Sequence, residues 1–200
     1  MNILYHLATL PPKIPQTEAI SQEITALRDH FGGDVVCVNP NPQSLFYVPR
    51  LLFGFHKLKE LREREVNFRL HHFYNPDPFP FPYLRKLRCP VIYSVTCGVR
   101  DKQPNVAFFS SLATVVASDE RSLNRLQAWG LKNIMLARPG IDTSRFTHSP
   151  LPLQSRIRLM VGSAPWTKRQ FKTKGVDALL ATAQQAPHLH LTFLWRGILA

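Results

Sequence analysis

The sequence lacks the features that mark several common protein classes. Its three cysteines, Cys37, Cys89 and Cys97, are odd in number and widely spaced. A disulfide framework is therefore not expected, and a reducing compartment is favoured. No apolar run approaches the roughly 18 residues that a membrane-spanning helix requires. The N-terminus also lacks the basic start and long apolar core of a secretory signal. We therefore expect a cytoplasmic protein.

Familiar catalytic signatures are missing as well. The chain contains no G-x-x-x-x-G-K-[ST] phosphate loop, no G-x-G-x-x-G, no H-E-x-x-H, no paired C-x-x-C and no G-x-S-x-G. These absences argue against P-loop NTPases, the common zinc hydrolases and serine hydrolases.

Acidic residues are scarce in this sequence. There are 13 Asp and Glu against 25 Lys and Arg, which gives a formal net charge of +12. The last 50 residues hold seven basic residues and one acidic residue. Such a field favours anionic partners, namely phosphates, nucleic acid or an acidic membrane surface. Nucleic acid is not expected, because Trp166 and Phe171 are the only aromatic residues in the basic loop from Gly162 to about Thr173.

Strand and helix patterns alternate along the chain. Helical spacing of Ile20, Ile24, Leu27 and Phe31 predicts a helix capped by Thr17. Further helices are predicted over about 51–62 and, capped by Ser118, over 119–129. Short apolar runs predict strands at 3–7, 35–38, 68–73, 91–95, 113–117 and 134–136. Strand–helix–strand order predicts an α/β fold with a Rossmann-like, doubly wound parallel sheet.

A second unit is predicted after residue 148. Residues 149–155 are rich in proline and poor in apolar residues, which indicates a linker. Residues 156–200 then predict a strand, a basic loop from Gly162 to about Thr173, a helix and a strand. One such unit cannot cover both faces of its own strands, as a parallel sheet requires. We therefore expect residues 156–200 to be the incomplete start of a second Rossmann-like domain.

The basic loop of this unit carries the strongest local signal. It follows a strand, and ligands of doubly wound sheets bind at the carboxyl ends of strands. Its four cations, Lys168, Arg169, Lys172 and Lys174, are accompanied by no acidic residue. The start of the next helix adds partial positive charge and free N–H groups. The loop is either a diphosphate site or a solvated basic surface.

Two segments together resemble retaining GT-B glycosyltransferases of family 4. The first has an apolar strand, an acidic helix start, a glycine and a Pro-Gly-Ile-Asp turn. The second opens with Val-Gly, a basic loop and Lys-Gly, followed by a helix with paired leucines. The matching residues are Val115, Val116, Ala117, Ser118, Asp119, Glu120, Leu123, Leu126, Gly130, Pro139, Gly140, Ile141, Asp142, Phe146, Val161, Gly162, Lys174, Gly175, Val176, Asp177, Leu179 and Leu180.

The resemblance implies sugar transfer from a nucleotide-diphosphate donor, without an essential metal or other cofactor. Residues 1–148 would be the acceptor-side domain, and Pro139, Gly140, Asp142 and Phe146 would form the turn between domains. The residues that would bind the donor diphosphate are Lys174, Lys168 or Arg169, Gly162 and Ser163. Fixed cations stabilise the charge that develops on the leaving diphosphate. No catalytic residue is identified, and Cys97–Gly98 stands where the family often has His-Gly.

Several alternatives stay open at this point. The chain is either a fragment of a glycosyltransferase or a non-catalytic anion-binding module that needs a separate C-terminal partner. The acceptor is unspecified, and lipid-linked and polysaccharide acceptors both fit. Residues 50–64 are either an ordinary domain helix or a peripheral contact with the inner face of a membrane. A structural role is expected for the His71–His72 pair, whose side chains point to opposite faces of a strand. Cys97 is expected to be a small buried residue.

Overall fold

The structure is a computed structural model that describes residues 2–8, 19–41, 44–140, 143–145, 157–162 and 167–194. The chain divides into two compact units between Ile141 and Asp142. Some predictions fall outside the described residues. They concern the cap at Thr17, the linker at 149–155, the turn residues Asp142 and Phe146, and the diphosphate ligand Ser163.

The first unit is built on a six-stranded, all-parallel sheet. Its strands are β1 (Ile3–Leu7), β2 (Gly33–Cys37), β3 (Leu70–Asn75), β4 (Val91–Val95), β5 (Thr114–Ala117) and β6 (Ile134–Leu136). Their order across the sheet is β2-β1-β3-β4-β5-β6. The predicted α/β class is confirmed for this unit, which has a Rossmann-like arrangement.

Four helices flank this sheet: α1 (Ala19–Phe31), α2 (Leu58–Arg64), α3 (Val106–Ser110) and α4 (Glu120–Ala128). Short 3-10 turns occupy Arg50–Leu52, Phe55–Lys57, Glu65–Asn67 and Pro82–Lys86. The predicted apolar stripe of α1 packs against Tyr5 and Tyr74 through Ile20, Ile24 and Leu27. Phe31, the fourth residue of that stripe, is exposed. The opposite face of the sheet from α1 carries the main core, which includes Leu61, Phe109 and Leu126.

The helix predicted over 51–62 is wrong in its first half. Two 3-10 turns occupy this stretch, and the α-helix begins only at Leu58. Gly54 separates the turns with a φ of 81°, a left-handed conformation that interrupts a helix. A Cβ at this position would also collide with the Tyr83 ring. Packing against that ring therefore overrides the helical periodicity.

Two smaller predictions are corrected by the sheet and by α4. The strand predicted at 35–38 is observed at Gly33–Cys37, and its Val35 remains 38% exposed. The reason is that β2 lies at the edge of the sheet and has one neighbouring strand. The cap of α4 is Asp119 rather than Ser118, since its carboxylate accepts the Ser122 N–H at 2.8 Å.

In its described residues, the second unit has one parallel pair of strands, β7 (Ile157–Val161) and β8 (Leu189–Phe193). Helices α5 (Lys168–Thr173) and α6 (Val176–Gln185) lie between them in the chain. The basic loop predicted from Gly162 to about Thr173 is thus helical from Lys168 onwards. Thr167 caps this helix, since its side chain accepts a hydrogen bond from the Gln170 N–H. Both strands are confirmed, whereas a second Rossmann-like domain stays a prediction. Among the described helices, none has the length and apolar character needed to cross a bilayer.

Candidate functional site

A cleft of about 540 Å³ borders the carboxyl ends of β3 and β4. The proline-rich residues 76–80 follow β3 and form one wall, and residues 97–105 follow β4 and form the other. Ligands of parallel α/β sheets bind outside the carboxyl ends of the strands. This cleft is therefore the candidate site of the first unit.

The proline-rich wall is held in place by side chains from two separate segments of the chain. Arg50 makes a paired contact with Asp77, at 2.8 and 3.2 Å. Its guanidinium carbon also lies 4.2 Å from the centre of the Phe79 ring. The Tyr93 hydroxyl donates to the Phe79 carbonyl at 2.8 Å. The hydrogen bond from Arg50 is the main cause that lowers the pKa of Asp77. The wall is thus rigid, and its carboxylate is already neutralised.

The second wall is fixed by the start of α4. The Ser122 hydroxyl accepts the Val99 N–H at 2.9 Å and donates to Asp119 at 2.7 Å. The Arg125 guanidinium donates to the Val99 carbonyl at 2.7 Å and pairs with Asp101 at 2.8 Å. Hydrogen bonds from Ser122 lower the pKa of Asp119. One aspartate therefore caps the helix and supports the cleft.

The cleft carries an excess of positive charge. Arg100 and Lys102 line it, are exposed, and make no salt bridge among the residues that the structure describes. Of the nearby acids, Asp77 and Asp101 each pair with an arginine, and Asp119 caps α4 and accepts hydrogen bonds from Ser122. The arrangement suits a ligand with an anionic group and a partly apolar body, which the prolines and Phe79 could contact.

Sequence reasoning missed most of this cleft. Cys97 was expected to be buried, but it is exposed and lines the cleft. Arg100 and Lys102 were not singled out, although their position directly after a predicted strand was a usable signal. The partnership of Arg50 with Asp77 joins residues 27 positions apart. No pattern of neighbouring residues predicts a contact between positions so far apart in the chain.

The predicted diphosphate residues follow β7 in the second unit. Gly162 comes directly after the strand, and Lys168 and Arg169 are exposed in the first turn of α5. Lys174 lies between α5 and α6, next to Gly175. Gly175 has a φ of 67°, which lets the chain turn into α6. Within the described part of this unit, Lys168 and Arg169 form no salt bridge.

The predicted turn between the domains is described only at its start. Pro139 and Gly140 follow β6 closely and are exposed. Ligand-binding turns at the carboxyl edge of a sheet occupy this kind of position.

The chain as a whole matches no protein-family model and no curated protein. The six-stranded parallel sheet and its flanking helices define the first unit as a Rossmann-like α/β protein.

A second surface stands out, next to the predicted membrane segment. Leu45, Phe46 and Tyr47 are 95%, 82% and 80% exposed. Asn41 pins the end of this loop, because its side chain accepts the Val48 N–H at 2.6 Å and donates to the Val48 carbonyl at 3.1 Å. The loop thus projects three large apolar side chains. We call residues 44–52 the apolar loop.

Proposed function

We propose that this chain is part of a glycosyltransferase that takes a sugar from a nucleotide-diphosphate donor. One observation carries the proposal. In the second unit, a parallel strand is followed by Gly162, by exposed cations on α5, and by Lys174 at the entrance to α6. The resemblance in sequence assigns donor binding to these same positions. The basic cleft of the first unit is the proposed acceptor site.

The proposed chemistry requires little of the protein except position and charge. When the bond between sugar and diphosphate breaks, negative charge accumulates on the departing phosphate. Lys174, with Lys168 or Arg169, would stabilise that charge as it develops. In the first unit, Arg100 and Lys102 would orient the acceptor. No protein nucleophile or metal ion is assigned to the reaction.

The donor assignment is tested by calorimetric titration of the full-length protein with uridine, guanosine and adenosine diphosphate sugars. We expect one class to bind, and Lys174→Ala to weaken it by about tenfold or more, since a hydrogen bond to a charged group contributes about 1.5–3 kcal/mol. Lys132→Ala removes the same charge from the first unit and should leave affinity unchanged. Equal affinities of the two variants would contradict the role of Lys174.

Catalysis is tested separately by following release of the nucleoside diphosphate from the sugar that binds. Release that is accelerated by the wild-type chain and slowed by Lys174→Ala supports transfer. Binding by the full-length protein without any release instead favours the alternative of a non-catalytic anion-binding module with a separate partner chain. The two measurements therefore distinguish the enzyme from the binding module.

We also propose that the apolar loop contacts an anionic membrane surface, which would suit a lipid-linked acceptor. Its exposed aromatic and leucine side chains are of the kind that enter the interface of a bilayer. The neighbouring segment 50–64 supplies positive charge for an anionic surface, because its Lys57, Lys59 and Arg62 form no salt bridge among the described residues. The contact is thus assigned to 44–52, with the predicted segment 50–64 as its basic flank.

Sedimentation with vesicles tests this contact. The chain should sediment with vesicles that contain phosphatidylglycerol and much less with pure phosphatidylcholine vesicles. Phe46→Ser should weaken binding by about tenfold, since burying one aromatic side chain contributes about 1.5–3 kcal/mol. Val66→Ser is the matched control, because Val66 is equally exposed outside the apolar loop. Equal loss in both variants would overturn the assignment.

A further inference from the structure

We propose that Glu65, His71 and Cys89 form a binding site for a divalent transition-metal ion, with Zn²⁺ best suited to their donor atoms. A ligand atom of each residue lies within 4.8 Å of those of the other two. Carboxylate oxygen, imidazole nitrogen and thiolate sulfur are the donors that zinc sites use. His71 is the second residue of β3, and Cys89 precedes β4 by two residues. The site therefore lies at the amino ends of β3 and β4, whereas the cleft borders the carboxyl ends of the same strands.

The Glu65 carboxylate is buried and only half satisfied. Its Oε1 accepts hydrogen bonds from the backbone N–H groups of Arg88 and Cys89, at 2.6 and 3.0 Å, and from His71 at 3.0 Å. Its Oε2 is buried and has no partner among the described residues. No lysine or arginine pairs with this carboxylate in the described part of the chain. Buried carboxylates are normally paired with a cation or bound to a metal, so a metal ion would supply the missing charge.

His71 is oriented for coordination by a chain of buried hydrogen bonds. Because an ionised carboxylate only accepts, His71 Nε2 donates to Glu65 in the ion-free protein. His71 Nδ1 then accepts from His6 Nε2 at 2.8 Å, and His6 Nδ1 accepts from the Tyr83 hydroxyl at 3.0 Å. Such outer partners fix the ring orientation of histidines that bind metals.

Metal binding changes the protonation of this cluster in a defined way. Coordination through His71 Nε2 moves the proton of that ring to Nδ1, which then donates to His6 Nε2. The His6 proton moves in turn from Nε2 to Nδ1 and is donated to the Tyr83 hydroxyl oxygen. The Cys89 thiol donates weakly to the Phe68 carbonyl at 3.4 Å and would lose its proton to bind as a thiolate. The balance is one ion bound and one proton released. Cys89 is only half-buried, which leaves a path for the ion and a fourth position for water.

Cobalt titration of the chelator-treated chain tests the site, because a thiolate bound to Co²⁺ absorbs by charge transfer in the near ultraviolet. We expect this absorption to saturate at one ion per chain and to disappear in Cys89→Ser. Cys97→Ser, which alters the exposed cysteine of the cleft, should retain it. Absence of the band in the wild-type chain, or its persistence in Cys89→Ser, would overturn the proposal.

A second measurement uses the wild-type chain, so its result does not depend on whether Cys89→Ser folds correctly. Nuclear magnetic resonance of the histidine rings should show His71 protonated at Nε2 without metal and at Nδ1 with Zn²⁺. Retention of the Nε2 proton in the presence of Zn²⁺ would also overturn the site. Neither outcome depends on glycosyl transfer, so the metal site and the proposed function can fail independently.

Discussion

His72 should make the first unit less stable in mild acid. Its ring packs 4.2 Å from the Tyr74 ring, centre to centre, and its Nε2 bonds to the Ser94 hydroxyl at 2.8 Å. Burial lowers the pKa of His72 to about 4, from an ordinary value near 6.5. The folded state thus binds the proton more weakly than the unfolded state does. Stability is therefore full above about pH 6.5 and falls as the pH drops towards about 4.

The size of the effect follows from the two pKa values. One pKa unit corresponds to about 1.4 kcal/mol, so the limiting loss from His72 is about 3 kcal/mol, and the loss at about pH 5 is about 2 kcal/mol. Burial also lowers the pKa of His6 and His71, which adds to the same slope. The contribution of His72 must therefore be isolated by substitution.

Urea unfolding at about pH 7 and about pH 5 measures this contribution. Trp129 packs against the core and reports on the first unit once Trp166 and Trp195 are replaced by phenylalanine. His72→Gln keeps a group that can bond to Ser94, and its loss of unfolding free energy between the two pH values should be smaller by about 2 kcal/mol. The exposed His30→Gln is the control and should follow the parent protein. Identical pH slopes for the parent and His72→Gln would refute the argument.

Two further substitutions test the local structure around the cleft and the core. Gly54→Ala should destabilise the first unit by about 2–4 kcal/mol, because alanine is strained at a φ of 81° and its Cβ would meet the Tyr83 ring. Gly140→Ala, where a Cβ would meet open space, should be nearly neutral in the same urea assay. Asp119→Ala removes both the cap of α4 and the support of Ser122, so a loss of about 1–2 kcal/mol is expected. Asp119→Asn should recover most of that loss, and equal destabilisation by both changes would show that capping is not the cause.

Several strands were predicted well from local patterns. Residues 91–95 and 134–136 were placed correctly, because a short apolar run between polar or turn-forming residues is typical of a strand. The end of α4 was also readable, since Gly130 adopts a φ of 90° that favours glycine. These features depend on a few neighbouring residues, so the sequence alone carries them.

The candidate site was only partly predictable. The cations of the second unit were visible as a run without acids, and their place after β7 followed from the strand pattern. The residues of the cleft in the first unit were not assembled into one site from the sequence, because its walls come from segments far apart in the chain. For example, Asp101 pairs with Arg125, and Arg100 forms no salt bridge among the described residues. This difference depends on where the loop after β4 packs against α4.

The sequence by itself determined the alternation of strands and helices, the excess of positive charge and the location of the basic segment. Each of these is set by composition or by periodicity over a few residues. Tertiary structure alone decided that Gly54 breaks a helical pattern against Tyr83, and that Glu65 and His71 meet Cys89 in a buried cluster. The physical reason is that contact and burial depend on which distant segments pack together, and these in turn determine strain, pKa and ligand geometry.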